Sequence, residues 1–363
     1  MGSRWCASTE EVKLVRLLLG GIALAVAPGA FAQEVKLPCA HTDKACAFNK
    51  AKVHPVHDIA TWKAALARPV GERIAPASPL IVEYLNLDNI FNGYPEKPRA
   101  AKLDPAFLAD VKGAIADLPP GIWRLFNERF IGLYLVEDLG GTGFTDFVMD
   151  KGKKPVAGYI VLDAAILGRQ TANAWATWKE NTPFKLQTVF KLEARIEDAA
   201  NDNRKNAIQY ILLHELGHVL SIGSDIHPSW ALNPKDVPAN AKFPYFSLSW
   251  RIDRAADKYV TLYDANFPQR KDVVYYFGAK LPATEMAPAY TSLEKTNFPS
   301  LYAATKPGDD FAEAFASYVH VVVMKRPWQI TISRGGEVVK TFNACWDEPR
   351  CAEKRKMLEQ LLK

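Results

Sequence analysis

Cysteine is scarce, at five residues in 363, so the chain is not a disulfide-dense miniature scaffold. Charge of one sign is lacking too. Lys and Arg number 45 against 40 acids, a net charge of +5 with no block of five like charges. That balance excludes a nucleic-acid partner as the organising feature. No uncharged run reaches the ~20 residues that span a bilayer; residues 17–32 come nearest. Repeat periods are missing as well. Apolar residues, by contrast, are plentiful. At 48% hydrophobic and 11% aromatic, the chain has too much to bury for a disordered protein. Roughly 150 residues per domain gives one large domain or two modest ones.

The uncharged run follows Lys13 and Arg16, contains Pro28 and closes on Ala30-Phe31-Ala32. A proline breaks a helix there, and small-x-small is the pattern of signal cleavage. Residues 1–32 are expected to be a secretory signal, giving a periplasmic or secreted protein with Gln33 at its mature N-terminus and no membrane anchor in the mature chain. Four cysteines then remain: Cys39, Cys46, Cys345 and Cys351. An even number in an oxidising compartment reads as disulfides, and local loop closure costs least. The expected pairs are Cys39–Cys46 and Cys345–Cys351. Neither has the CxxC spacing of a zinc site.

Residues 33–78 read as an irregular arm with one helix at 59–67. Its His54-Pro55-Val56-His57 has no thiol or carboxylate motif beside it. A helix is expected at 105–118, ending before Pro119-Pro120-Gly121, and strands at 131–137 and 157–162. Gly140-Gly141-Thr142-Gly143 between them lacks the following Lys-Ser/Thr of a phosphate loop and reads as a turn. Apolar residues recur at helical spacing over 184–200 and 203–222, with Asn201-Asp202-Asn203 as caps between. Residues 223–308 are rich in proline and aromatics and only partly regular. A further helix begins near Asp309 with Phe311, Phe315, Tyr318 and Val319 on its apolar face. A hairpin over 329–333 and 337–342 and a helix at 353–362 close the chain. The class is α+β, strands first and helices after.

Residues 211–220 read ILLHELGHVL. His214 and His218, four apart on a helix, can bind one metal ion, and Glu215 beside them can act as base toward a water that the ion holds. With seven histidines in the chain, this spacing is expected by chance roughly 0.007 times. One ligand is still missing. Ser221 and Ser224 stand where a metzincin needs Gly and His, and His227 comes too late for that geometry. No Asn-Glu helix of thermolysin type follows about twenty residues downstream. The next suitable helix is Asp309-Asp310-Phe311-Ala312-Glu313-Ala314-Phe315, with Asp309 and Glu313 one turn apart on one side.

These two helices resemble those of the gluzincin zinc metallopeptidases, most nearly the anthrax lethal factor and Pro-Pro endopeptidase family. The resemblance spans 159–323 loosely and is specific only over the two short segments. It implies a zincin-like fold for a catalytic domain at 79–325, followed by the hairpin and helix at 326–363. It also implies one Zn2+ per chain, held by His214, His218 and Asp309. Glu313 would then support a ligand histidine, and Tyr302, seven residues before Asp309, would stabilise the oxyanion. Asp stands where the family has Glu, so Glu313 is the alternative third ligand, and Asp309 would then serve as a helix cap. About 90 residues separate His218 from Asp309, more than the family has, so the substrate-facing region is rebuilt. Tyr302 has a packing role as its alternative. His227 is a reserve oxyanion donor, and His320 a support for the core or for a ligand. The implied activity is zinc-dependent hydrolysis of peptide bonds, endopeptidase favoured, with Glu215 as base and a peptide or protein as substrate. The alternative is a catalytically silent zincin-like metal-binding or scaffold protein.

Overall fold

Two parallel strands, Phe130–Glu137 and Pro155–Asp163, form the centre of the main sheet, with Tyr134 opposite Val161. They appear in a computed structural model that describes residues 35–363 except 127 and 277; the expected signal at 1–32 lies outside the described residues. Ile74–Pro76 adds in parallel beside Phe130–Glu137, and Gly143–Met149 runs antiparallel along the outer side of Pro155–Asp163. Both faces of the central strands are covered, which explains their near-continuous apolar runs. Leu133, Leu135, Ile160 and Leu162 pack with Ile208, Ile211 and Leu212 of the helix Arg204–Ser221. Tyr134, Val136, Tyr159 and Val161 pack on the other face with Val56, Trp62, Ile81 and Leu85. Each such side chain contributes about 1.5–3 kcal/mol by leaving water. Gly140 to Thr142 form a turn leading into Gly143–Met149, as expected.

The mixed helices and strands make an α+β chain, but the order differs from the expected one. The helix Pro79–Asn92 precedes the central strands. Residues 184–200 are not helical. Phe190–Arg195 is a strand, with Leu192 and Ala194 buried between exposed Lys191, Glu193 and Arg195. It pairs with Gln329–Arg334, which in turn pairs with Glu337–Asn343, so the expected C-terminal hairpin is one part of a three-stranded sheet. Nor is 33–78 a loose arm. It holds the helix Lys44–Lys52, and its 59–67 stretch divides into the 3-10 turn Ile59–Trp62 and the short helix Lys63–Leu66. Buried Arg73 donates to Leu66 O at 3.0 Å, to Arg68 O at 2.9 Å and to Phe130 O, tying this segment to the sheet.

Both expected disulfides are formed, Cys39–Cys46 and Cys345–Cys351, each with a Cα–Cα distance of 5.8 Å. They point to an oxidising environment. Among the described residues no helix is long and apolar enough to cross a membrane. The second disulfide closes the turn before the helix Ala352–Leu361. That helix buries Lys354 with its Nζ 2.5 Å from Asp310 Oδ1.

Candidate metal centre

The helix Arg204–Ser221 starts where Asn203 Oδ1 accepts the Asn206 N–H at 3.0 Å, and every residue from Asn206 to Ser221 is buried. On its sheet side, Thr145 Oγ1 donates to Glu215 Oε2 at 2.7 Å. On its other side lies the acidic helix Pro307–Tyr318. The two helices cross at Gly217, where an added Cβ would lie 2.8 Å from Ala312 Cα. Only a residue without a side chain permits that approach. Asp309 and Glu313 flank Ala312, so the crossing sets both acids against the motif histidines.

The acids then separate by task. Nε2 of His214 and Nε2 of His218 are 3.2 Å apart, and Asp309 Oδ1 is 3.5 Å from His218 Nε2. All three residues are buried. Ligands at ~2.0–2.2 Å from a tetrahedral ion stand about 3.3–3.6 Å from one another, so these separations suit a common cation. Asp309 Oδ1 is buried without a hydrogen-bond partner, while Oδ2 accepts from Thr305 Oγ1 at 3.2 Å. A buried carboxylate oxygen aimed at two imidazoles is what a cation would satisfy. The group His214, His218 and Asp309 could hold a metal ion.

Glu313 stands behind His214 instead. Its Oε1 is 3.1 Å from His214 Nδ1 and 2.9 Å from Lys179 Nζ, and its Oε2 accepts from Ser300 Oγ at 2.6 Å. Burial pushes the Glu313 carboxyl up, but Lys179 and His214 outweigh it and hold the group well below the usual range. For Lys179, burial acts downward, and the contacts with Glu313 and Glu180 leave it above its ordinary value. Glu180 is 3.1 Å from Lys179 Nζ and accepts from Tyr275 at 2.8 Å and Tyr290 at 2.7 Å.

Glu215 is lifted above the ordinary carboxylate range by burial, which His214, His218 and Thr145 only partly offset. Tyr302 lies beside His214. Its ring centroid is 5.7 Å from that of His214, with Lys179 Nζ 4.9 Å above the ring. Burial and then the Asp309 charge raise its hydroxyl well above the normal phenol value. His227 is buried nearby, and Nδ1 donates to Pro228 O at 2.8 Å. Burial lowers its pKa to about 4. Its Nδ1 proton thus points at that carbonyl. His320 supports the core: Nε2 is 2.6 Å from Ile196 O and the ring stands edge-on to Tyr210. His54 and His57 lie elsewhere, His54 Nδ1 accepting from Val56 N and His57 Nδ1 meeting Phe147 O at 3.2 Å.

Three parts of this centre escape the sequence reading. Lys179 and Glu180, on the helix Ala172–Asn181, show only as a Lys one turn after buried Trp175. Trp230 stacks edge-on against His218 at 5.6 Å from within the proline-rich stretch. Tyr276, with φ of +67° and its ring 6.4 Å from that of Tyr302, offers no sequence signal at all. Compared with known proteins, the chain matches no family model, no curated protein and no solved structure.

Proposed function

We propose that this chain is an exported, zinc-dependent metallopeptidase with a zincin-like catalytic arrangement of gluzincin type, acting as an endopeptidase on peptides or proteins. The convergence of His214, His218 and Asp309 beside the oriented carboxylate of Glu215 carries the reading. His214, His218 and Asp309 would hold the ion, with Glu313 behind His214. A zinc ion so bound polarises a carbonyl and brings the pKa of water toward ~7. Glu215 is the general base. Thr145 occupies its Oε2, which leaves Oε1 to take a proton from the attacking water and pass it to the leaving nitrogen. Tyr302 keeps its proton at neutral pH and donates it as a hydrogen bond to the developing oxyanion.

Gly143–Met149, the outer strand of the main sheet, lies next to Glu215. Glu215→Gln tests the reading. Zinc by elemental analysis should stay at one per chain, while hydrolysis of a peptide library falls by at least about 10²–10⁴-fold. Equal cleavage by the variant would remove the peptidase assignment, and no cleavage by either protein would leave the silent metal-binding alternative.

A further inference from the structure

The two motif histidines are not backed alike. His214 Nδ1 faces Glu313, whereas His218 Nδ1 is buried with no hydrogen-bond partner. A second buried ring nitrogen is in the same state, Nε2 of His227. Both border one small space beside Gly308. A Cβ added there would lie 3.8 Å from His218 Nδ1 and 3.8 Å from His227 Nε2. The two atoms are complementary. With Nε2 turned toward His214 and Asp309, His218 carries its proton on Nδ1. His227 has its own proton on Nδ1, donated to Pro228 O, so its Nε2 can only accept.

We propose that His227 is a positioning residue for His218, accepting the His218 Nδ1–H through one water molecule held over Gly308. It would fix the tautomer and tilt of His218 as Glu313 does for His214. The inference rests on the metal reading above but names different residues. Gly308 sits in the first turn of the acidic helix and has no left-handed backbone that would demand glycine. An alanine meets only ordinary van der Waals contacts there, yet its methyl group occupies the space the water needs.

The test measures Zn2+ affinity of the full chain by chelator competition, alongside urea unfolding of the metal-free protein. Gly308→Ala should lose about 10–100-fold in zinc affinity while stability is kept or raised, because alanine is the better helix former. His227→Phe should show the same loss, and His227→Gln, whose amide oxygen can accept, should recover most of it. A packing role would not produce that recovery. The proposal is overturned if Gly308→Ala binds zinc within about threefold of the unsubstituted chain while His214→Ala loses it. Should His227→Phe fail to fold, Gly308→Ala decides alone. Undiminished zinc affinity in His214→Ala would overturn the metal reading and this inference with it.

Discussion

Asp309 and Glu313 are one helical turn apart and equally buried, yet their neighbours divide the work. Asp309 has the shorter side chain, and the close helix crossing at Gly217 brings it to the histidines. Both oxygens of Glu313 are engaged by His214, Lys179 and Ser300, so it has none to offer at the Nε2 side. Asp309→Ala should therefore abolish most zinc binding. Glu313→Ala should weaken it by about 10–100-fold and also cost stability, about 3–5 kcal/mol, because a buried cation loses one of its two carboxylates. Chelator competition and urea melts on both variants check this, and a reversed ranking would make Glu313 the ligand. The placing of His214 with His218, and of Asp309 with Glu313, on one side of a helix was legible because a helix repeats its face every three to four residues. The Lys179–Glu180 cluster was not, since Glu313, Ser300, Tyr275 and Tyr290 reach it from separate segments.

Elements whose signal is internal were readable in the sequence, and those decided by a distant partner were not. The helix Arg204–Ser221 carries its own cap and period, and the two central strands are β-branched runs between turns. Phe190–Arg195 has apolar positions that suit either period. What makes it a strand is Gln329–Arg334, more than a hundred residues away. Gly143–Met149 holds Asp146 amid its apolar residues, which hides the pattern; the structure satisfies that acid with Tyr84 at 2.6 Å. The helix crossing also yields a prediction. Gly217→Ala gains about 1 kcal/mol of helix propensity but forces a methyl group into the Ala312 backbone. Overpacking of about 1–3 kcal/mol should win, lowering the urea midpoint of the metal-free protein. Because the acids move with that helix, zinc affinity should fall as well. A variant as stable and as tight as the parent would mean that the helices do not need this approach.

Across the whole molecule, buried histidines should confer acid sensitivity, and two of them lie outside the His214, His218 and Asp309 group. Burial lowers both His54 and His320 to about 4. Unfolding returns them to about 6.5, so between those values the unfolded chain binds more protons and stability must fall as pH falls. Protonation would also end the acceptance of the Val56 N–H by His54 Nδ1. Urea midpoints of the metal-free protein should be level above pH 7 and decline from pH 6.5 toward 4, by on the order of 2 kcal/mol per histidine. His54→Gln should flatten part of that slope, and an unchanged slope would exclude His54 as a source. One last tie concerns order in time. Asp310, neighbour of Asp309, is paired with one buried cation among the described residues, Lys354. A chain emerging N-terminus first presents His214 and His218 well before that lysine, and an unfinished chain must either bury Asp310 uncompensated or leave the acidic helix undocked. Docking of the acidic helix, and with it the His214, His218 and Asp309 group, therefore depends on the C-terminal helix.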